Sequence, residues 1–242
     1  MRPLISLLLL ALAGACTPVS DRSSRAFTAD GEVIALSGGE GGPKNACFTC
    51  HGLDDMGDGV SVPRLAGLDA GYLQKQLVDY AAETRRDKVM SPVARWLDHD
   101  DQLAVAHWYA ALPVPAAQGV AAPPPAIWTN GAPERGVIAC ASCHGADGLG
   151  AGRGNPAVAG QPAAYTIDQL RRWKRGARRN DPRGVMAVAA AGLSEAEMRT
   201  IAAWLEHAPI APPPASAAAS GSAAEAAAAR SAAFRGTHRP DR

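Results

Sequence analysis

The sequence predicts an all-α chain built from two tandem copies of one small unit. Three observations carry this expectation. Shifted by 93 residues, the first half lands on much of the second. Apolar residues recur at helical spacing in the same places of both copies, and no segment sustains the alternation of a strand. Each copy spans only about eighty residues, too few to build a thick core without a staple.

The repeat is detailed. At an offset of 93, His51 falls on His144, Gly52 on Gly145, Asp54 on Asp147, Gly57 on Gly150, Pro63 on Pro156, Ala66 on Ala159, Gly67 on Gly160, Tyr72 on Tyr165 and Gln76-Leu77 on Gln169-Leu170. Later the offset becomes 96, where Val89-Met90 meets Val185-Met186 and Trp108 meets Trp204.

In chain order, residues 1–15 read as an export signal: a basic start, an apolar run from Leu4 to Leu12, then Ala13-Gly14-Ala15. Cys16 follows immediately and reads as the acylated cysteine of a bacterial lipoprotein, although Ala13 stands where such signals usually prefer Leu. The alternative is ordinary cleavage that leaves a terminal thiol. Residues 16–30 form a polar spacer and 31–112 the first unit. Residues 113–126 are a Pro/Ala-rich, semi-rigid linker, and 127–210 are the second unit. The Ala/Pro-rich tail, 211–242, has a composition that supports no packed core and is expected to be disordered.

Within a unit the expected order is helix, cysteine motif, loop, helix, methionine loop, helix. Pro133-Glu134-Arg135 opens a helix in the second copy, whereas Gly38 to Pro43 makes its counterpart short or irregular. Tyr72 to Tyr80 and Tyr165 to Trp173 have helical spacing. The last helices begin near Asp98 and Ser194; Ser194-Glu195-Ala196-Glu197 has the look of a capped start with acidic residues in its first turn.

The chemistry lies in Cys47-Phe48-Thr49-Cys50-His51 and Cys140-Ala141-Ser142-Cys143-His144. This is the C-x-x-C-H spacing of a c-type haem attachment site. Two thiols two residues apart reach the two vinyl groups of one haem, and the adjacent histidine falls beneath the iron. Two haem c groups are therefore expected, bound covalently by Cys47 and Cys50 and by Cys140 and Cys143, with His51 and His144 as iron ligands. A large apolar cofactor in each unit also suits an aromatic content of only 5%.

The repeat selects the sixth ligands, since electron-transfer haems usually pair His with Met. Met56 has Leu149 as its counterpart and Met198 has Gln102. Only Met90 and Met186 recur, each in a loop well after the histidine. The remaining histidines, His99, His107 and His207, face Glu195, Ala203 and Ala111 in the other copy.

With these residues in view, the chain resembles the class I cytochromes c, and its tandem resembles the diheme cytochrome c4 family. The likeness runs from about Gly31 to His207 through CFTCHG with Pro63-x-Leu65-Ala66-Gly67 and CASCHG with Pro156-x-x-Ala159-Gly160-Gln161-Pro162. It implies an all-α fold of two tandem class I cytochrome c domains, each wrapped around one covalent haem c. It also implies that Pro63 and Pro156, twelve residues after their histidines, offer a backbone carbonyl to the second ring nitrogen of His51 and His144. The first copy departs from the pattern in its glycine-rich opening and in Glu83-Thr84-Arg85-Arg86-Asp87, which replaces a Gly-Ala-Arg-Arg-Asn run.

The units differ in charge. Residues 31–112 hold seven Lys/Arg and twelve Asp/Glu, a balance of −5, and 127–210 hold ten and seven, a balance of +3. The run from Arg171 to Arg179 is either a solvated helix face or a docking surface for a redox partner. Haem and export argue against nucleic acid.

The expected function is an exported electron carrier that makes no chemical bond. Its donor would be a quinol-oxidising complex or a dehydrogenase, and its acceptor a terminal oxidase or a reductase. A periplasmic site with a lipid tether at Cys16 completes this reading. The alternatives are an electron-accepting subunit of a dehydrogenase or oxidase complex, a diheme peroxidase with an open iron face, and a zinc module built from the cysteines.

Overall fold

The computed structural model describes residues 30–114, 122–151, 154–181 and 183–210. Cys16, the leader, most of the spacer and the tail lie outside the described residues, as do 115–121 of the linker.

Two helical clusters follow one another. The first holds α1 (Gly31–Ser37), α2 (Phe48–His51), α3 (Ala70–Ala81), α4 (Met90–Ala94) and α5 (His99–Ala111). The second holds α6 (Ala126–Thr129), α7 (Ala141–His144), α8 (Ala163–Lys174), α9 (Val185–Ala191) and α10 (Glu195–His207). Among the described residues the β structure is one isolated bridge, Ala132 to Val137. No helix there is long and apolar enough to cross a membrane.

Each cluster is built around its last helix. In the first, α5 packs on α1 and α3 around Ile34, Leu73, Val105, Ala106 and Tyr109. Gly31 permits the α1 crossing: a Cβ there would lie 2.3 Å from the Ala104 carbonyl oxygen. In the second, α10 packs on α8 and α6 around Trp128, Leu193, Met198, Ile201 and Leu205. Both last helices start with a reciprocal capping box, Asp98 with Asp101 and Ser194 with Glu197, so local chemistry sets their first turns.

The opening segment of the second unit differs from the sequence expectation, while that of the first is short and irregular as expected. Pro133–Arg135 is a single 3-10 turn, stopped by Gly136 in the left-handed region at φ 72°. The helix that opens the second unit is α6, which starts earlier, directly after Pro125. Its counterpart α1 likewise precedes the glycine-rich stretch, where two 3-10 turns stand instead. A second difference concerns the methionines. Met90 and Val185-Met186 stand at the starts of short helices, α4 and α9, rather than within loops.

Candidate haem sites and the interface between them

Both cysteine motifs fold identically. The first cysteine precedes a single helical turn that ends on the histidine, and the next residue is a glycine at positive φ, Gly52 or Gly145. The chain then loops back. Gly57 N–H donates to the His51 carbonyl at 2.9 Å, and Gly150 N–H to that of His144 at 2.8 Å. Gly57 has no substitute: its φ is 82°, and a Cβ would lie 2.1 Å from the Val62 carbonyl oxygen.

This loop delivers the proline. His51 Nδ1 lies 2.9 Å from the Pro63 carbonyl oxygen, and His144 Nδ1 lies 2.8 Å from that of Pro156. A carbonyl only accepts, so Nδ1 carries the proton and Nε2 keeps its lone pair. Burial holds both imidazoles below the ordinary histidine pKa, which keeps them neutral. A neutral imidazole with a fixed ring and a free Nε2 is a metal ligand in waiting.

Each methionine is anchored by an aspartate. Asp87 accepts from the N–H groups of Val89 and Met90 at 2.9 and 3.0 Å, and Asp181 accepts from Met186 N–H at 2.7 Å. Exposed valines flank them: Val89 is 59% exposed, Val185 43% and Val188 56%. Exposed apolar side chains beside each thioether, with two thiols and a neutral imidazole in the same unit, are a donor set that fits a flat apolar ligand with a central iron. The four cysteines are free rather than paired. Burial raises the Cys140 thiol to about 11 and moves that of Cys47 the same way, so both stay protonated thiols at neutral pH.

The other candidates sit elsewhere. Met198 is fully buried in the second core. His99, His107 and His207 are exposed on the last helices.

One buried group was not foreseen. Asp55 is 1% exposed, at φ 55°, with Tyr109 and Cys47 as neighbours. In the second copy Gly148 and Leu205 occupy the equivalent positions. Desolvation pushes the Asp55 carboxyl up to about 6. A folded-state value above the unfolded one makes stability fall as pH rises from about 4 to about 6, and stay level above. Asp55→Asn removes the buried acid and tolerates the same backbone. The variant is expected to be more stable than wild type by roughly 1–3 kcal/mol at pH 7.5 and equal to it at pH 4, read by denaturant unfolding.

Sequence reading also missed the seam between the clusters. Arg85 donates to Gln76 of its own unit at 2.8 Å, and to Tyr165 and Gln169 of the other at 3.0 and 2.9 Å. Arg178 mirrors it, donating to Gln169 at 2.8 Å and across to Gln76 at 3.1 Å. Each guanidinium also stacks on an aromatic ring, Tyr80 or Trp173, at 4.6 and 4.5 Å. The only signal in the sequence was a glutamine recurring inside an otherwise amphipathic helix.

The basic run is largely taken up internally. Arg171 pairs with Glu195 at 2.6 Å, and Arg172 with Asp168 at 2.5 Å and with Asp87 of the first unit at 3.3 Å. Lys174 reaches the Leu193 carbonyl and Arg179 that of Gly176.

Comparison with known proteins agrees with this geometry. The family model for cytochrome c matches residues 135–209. The thiosulfate dehydrogenase electron acceptor of Stutzerimonas stutzeri is 40% identical over 190 residues, covering 74% of this chain and 87% of that protein. Cytochrome c4 of Thiocapsa roseopersicina is 35% identical over 174 residues, 69% of this chain and 90% of that one. Among solved structures, reduced recombinant cytochrome c4 from Pseudomonas stutzeri matches with a TM-score of 0.62 at 28% identity, over 67% of this chain and 93% of its own. The thiosulfate dehydrogenase (TsdBA) of Marichromatium purpuratum matches with a TM-score of 0.64 at 37% identity over 73% of this chain, which spans 39% of that longer one. Two haem-binding motifs, two all-α units and these relatives lead to one conclusion: the chain belongs to the cytochrome c4 and thiosulfate dehydrogenase acceptor family of diheme class I cytochromes c, which shuttle electrons between redox partners and are not catalysts.

Proposed function

We propose that the chain takes electrons from a thiosulfate-oxidising dehydrogenase and passes them to a further redox protein. Support comes from the 40% identity to an acceptor of that name over 87% of its length, together with a doubled site of matching hydrogen bonds. In this reading Cys47, Cys50, Cys140 and Cys143 hold two haem c groups, and His51 with Met90 and His144 with Met186 ligate the irons. Bound haem supplies one-electron exchange. The protein's own part is to fix the imidazoles through Pro63 and Pro156 and to keep them neutral. Gln76, Arg85, Gln169 and Arg178 then keep the two units in one arrangement. Thioether ligation favours the ferrous state and suits an acceptor of high potential.

Export through residues 1–15 and acylation of Cys16 belong to the same proposal and rest on the sequence alone. Two or more acyl chains would keep the carrier at a membrane surface, and Cys16→Ser is then expected to move it into the soluble fraction.

The decisive test is rapid mixing of oxidised protein with thiosulfate and a thiosulfate dehydrogenase. Both haems are expected to reduce promptly when enzyme and thiosulfate are present together and to stay oxidised with either alone. Reduction no faster than with thiosulfate alone would remove the assigned donor.

A further inference from the structure

One peptide group in this molecule belongs to both units. Its carbonyl is that of Pro63, which accepts from His51 Nδ1 at 2.9 Å. Its N–H is that of Arg64, which donates to the side-chain oxygen of Gln161 at 3.1 Å. Gln161 lies 97 residues away, in the second unit, and its amide nitrogen returns a bond to the Arg64 carbonyl at 3.0 Å. The contact is dry: Arg64 is 0% exposed and Gln161 4%. The Arg64 guanidinium closes the joint, donating to Ala66 of its own unit and to the Ala159 carbonyl across the seam at 3.0 Å.

Among the described residues the second unit shows no such relay. Pro156 accepts from His144 at 2.8 Å, but the residue that follows is Ala157. The counterpart of Gln161 is Leu68, an apolar core residue that offers no acceptor. The two imidazoles are thus held alike at first sight and differently one bond further out.

We infer that Gln161 of the second unit is a positioning residue for the histidine ligand of the first, acting through the Pro63–Arg64 peptide. An amide whose N–H is engaged has a more polarised carbonyl, and hydrogen bonds in such a chain strengthen one another, most of all in a dry interior. A stronger pull on the Nδ1 proton makes the imidazole a better donor to iron. A better donor stabilises the ferric state, so the relay lowers the potential of the first haem and leaves that of the second alone. The inference rests on His51 being an iron ligand, as proposed above.

Gln161→Leu gives the second unit the residue that the first already carries at this place. In the haem-loaded protein the first haem is expected to become easier to reduce by about threefold to tenfold, or roughly 30–60 mV at 59 mV per tenfold for one electron. The second haem should not move. In the reduced protein, the NMR signal of the His51 ring N–H, assigned through its contacts to Pro63, should shift upfield while that of His144 stays. Gln161→Glu keeps an acceptor for Arg64 N–H, and its His51 ring proton should stay near the wild-type position. Equal shifts at both histidines, no shift at His51 in the Leu variant, or the same shift in the Leu and Glu variants would overturn the relay. A protein that lacks haem in the first unit would instead overturn the ligand assignment beneath it.

Discussion

Met186→Ala is expected to lower the potential of the second haem by on the order of 0.1–0.3 V, a part of the roughly 0.8 V that axial ligands span. A thioether sulfur is soft and holds ferrous iron better than ferric, so its loss shifts the balance towards ferric. Water or hydroxide then takes the place, and the oxidised iron turns wholly or partly high-spin. The sulfur-to-iron absorption in the far red should fall by about half, since one site of two remains. Met90→Ala should do the same to the first haem. Met198→Leu supplies the contrast: this side chain is 0% exposed in the second core, and the swap should leave both potentials unchanged at a stability cost under about 1.5 kcal/mol. An unaltered spin state in Met186→Ala would remove Met186 from the iron. The variant would also carry an open face, so peroxide turnover appearing only there would show that the thioether keeps the wild-type protein a carrier.

Arg85→Ala is expected to cost about 3–5 kcal/mol and to split unfolding into two steps. Its guanidinium makes three hydrogen bonds, two of them to the other unit, and stacks on Tyr80. Removal takes the Arg85 donor from the Tyr165 hydroxyl and leaves Gln169 with one arginine donor of two. The mirrored group, Arg178, would still hold Gln76 and Gln169, so the units should remain associated but uncouple on denaturation. Wild type should unfold in one transition, followed by haem absorption and by circular dichroism together. Arg85→Lys should recover little, because an ammonium cannot serve the fork that a planar guanidinium does. A single unchanged transition in Arg85→Ala would mean that the seam contributes little to stability.

Particular residues show how much was legible in advance. The capped starts at Asp98 and Ser194 were readable because a cap is a contact between residues three apart. The helices over Ala70–Ala81 and Ala163–Lys174 were readable because their apolar spacing is local. The helix expected from Pro133 is instead a 3-10 turn, because proline is equally at home at the start of either. Gly136, adopting the left-handed region, decided between the two. The basic run was ambiguous because sequence shows charges and not their partners; Glu195 stands 24 residues from Arg171, and Asp87 lies in the other unit.

By itself the sequence determined that the cysteine motif occurs twice and that the units are helical. The C-x-x-C-H pattern sets two thiols and an imidazole within five consecutive residues, short enough to be read directly from the chain. Only the tertiary structure decided that Gln76 and Gln169 are shared by two arginines, that Asp55 is buried against Tyr109, and that Gln161 reaches the peptide behind His51. Those contacts join residues that mostly lie 54 to 102 positions apart. The energies of the contacts between units depend on excluding water from the seam, a condition that exists only once both units have folded and met.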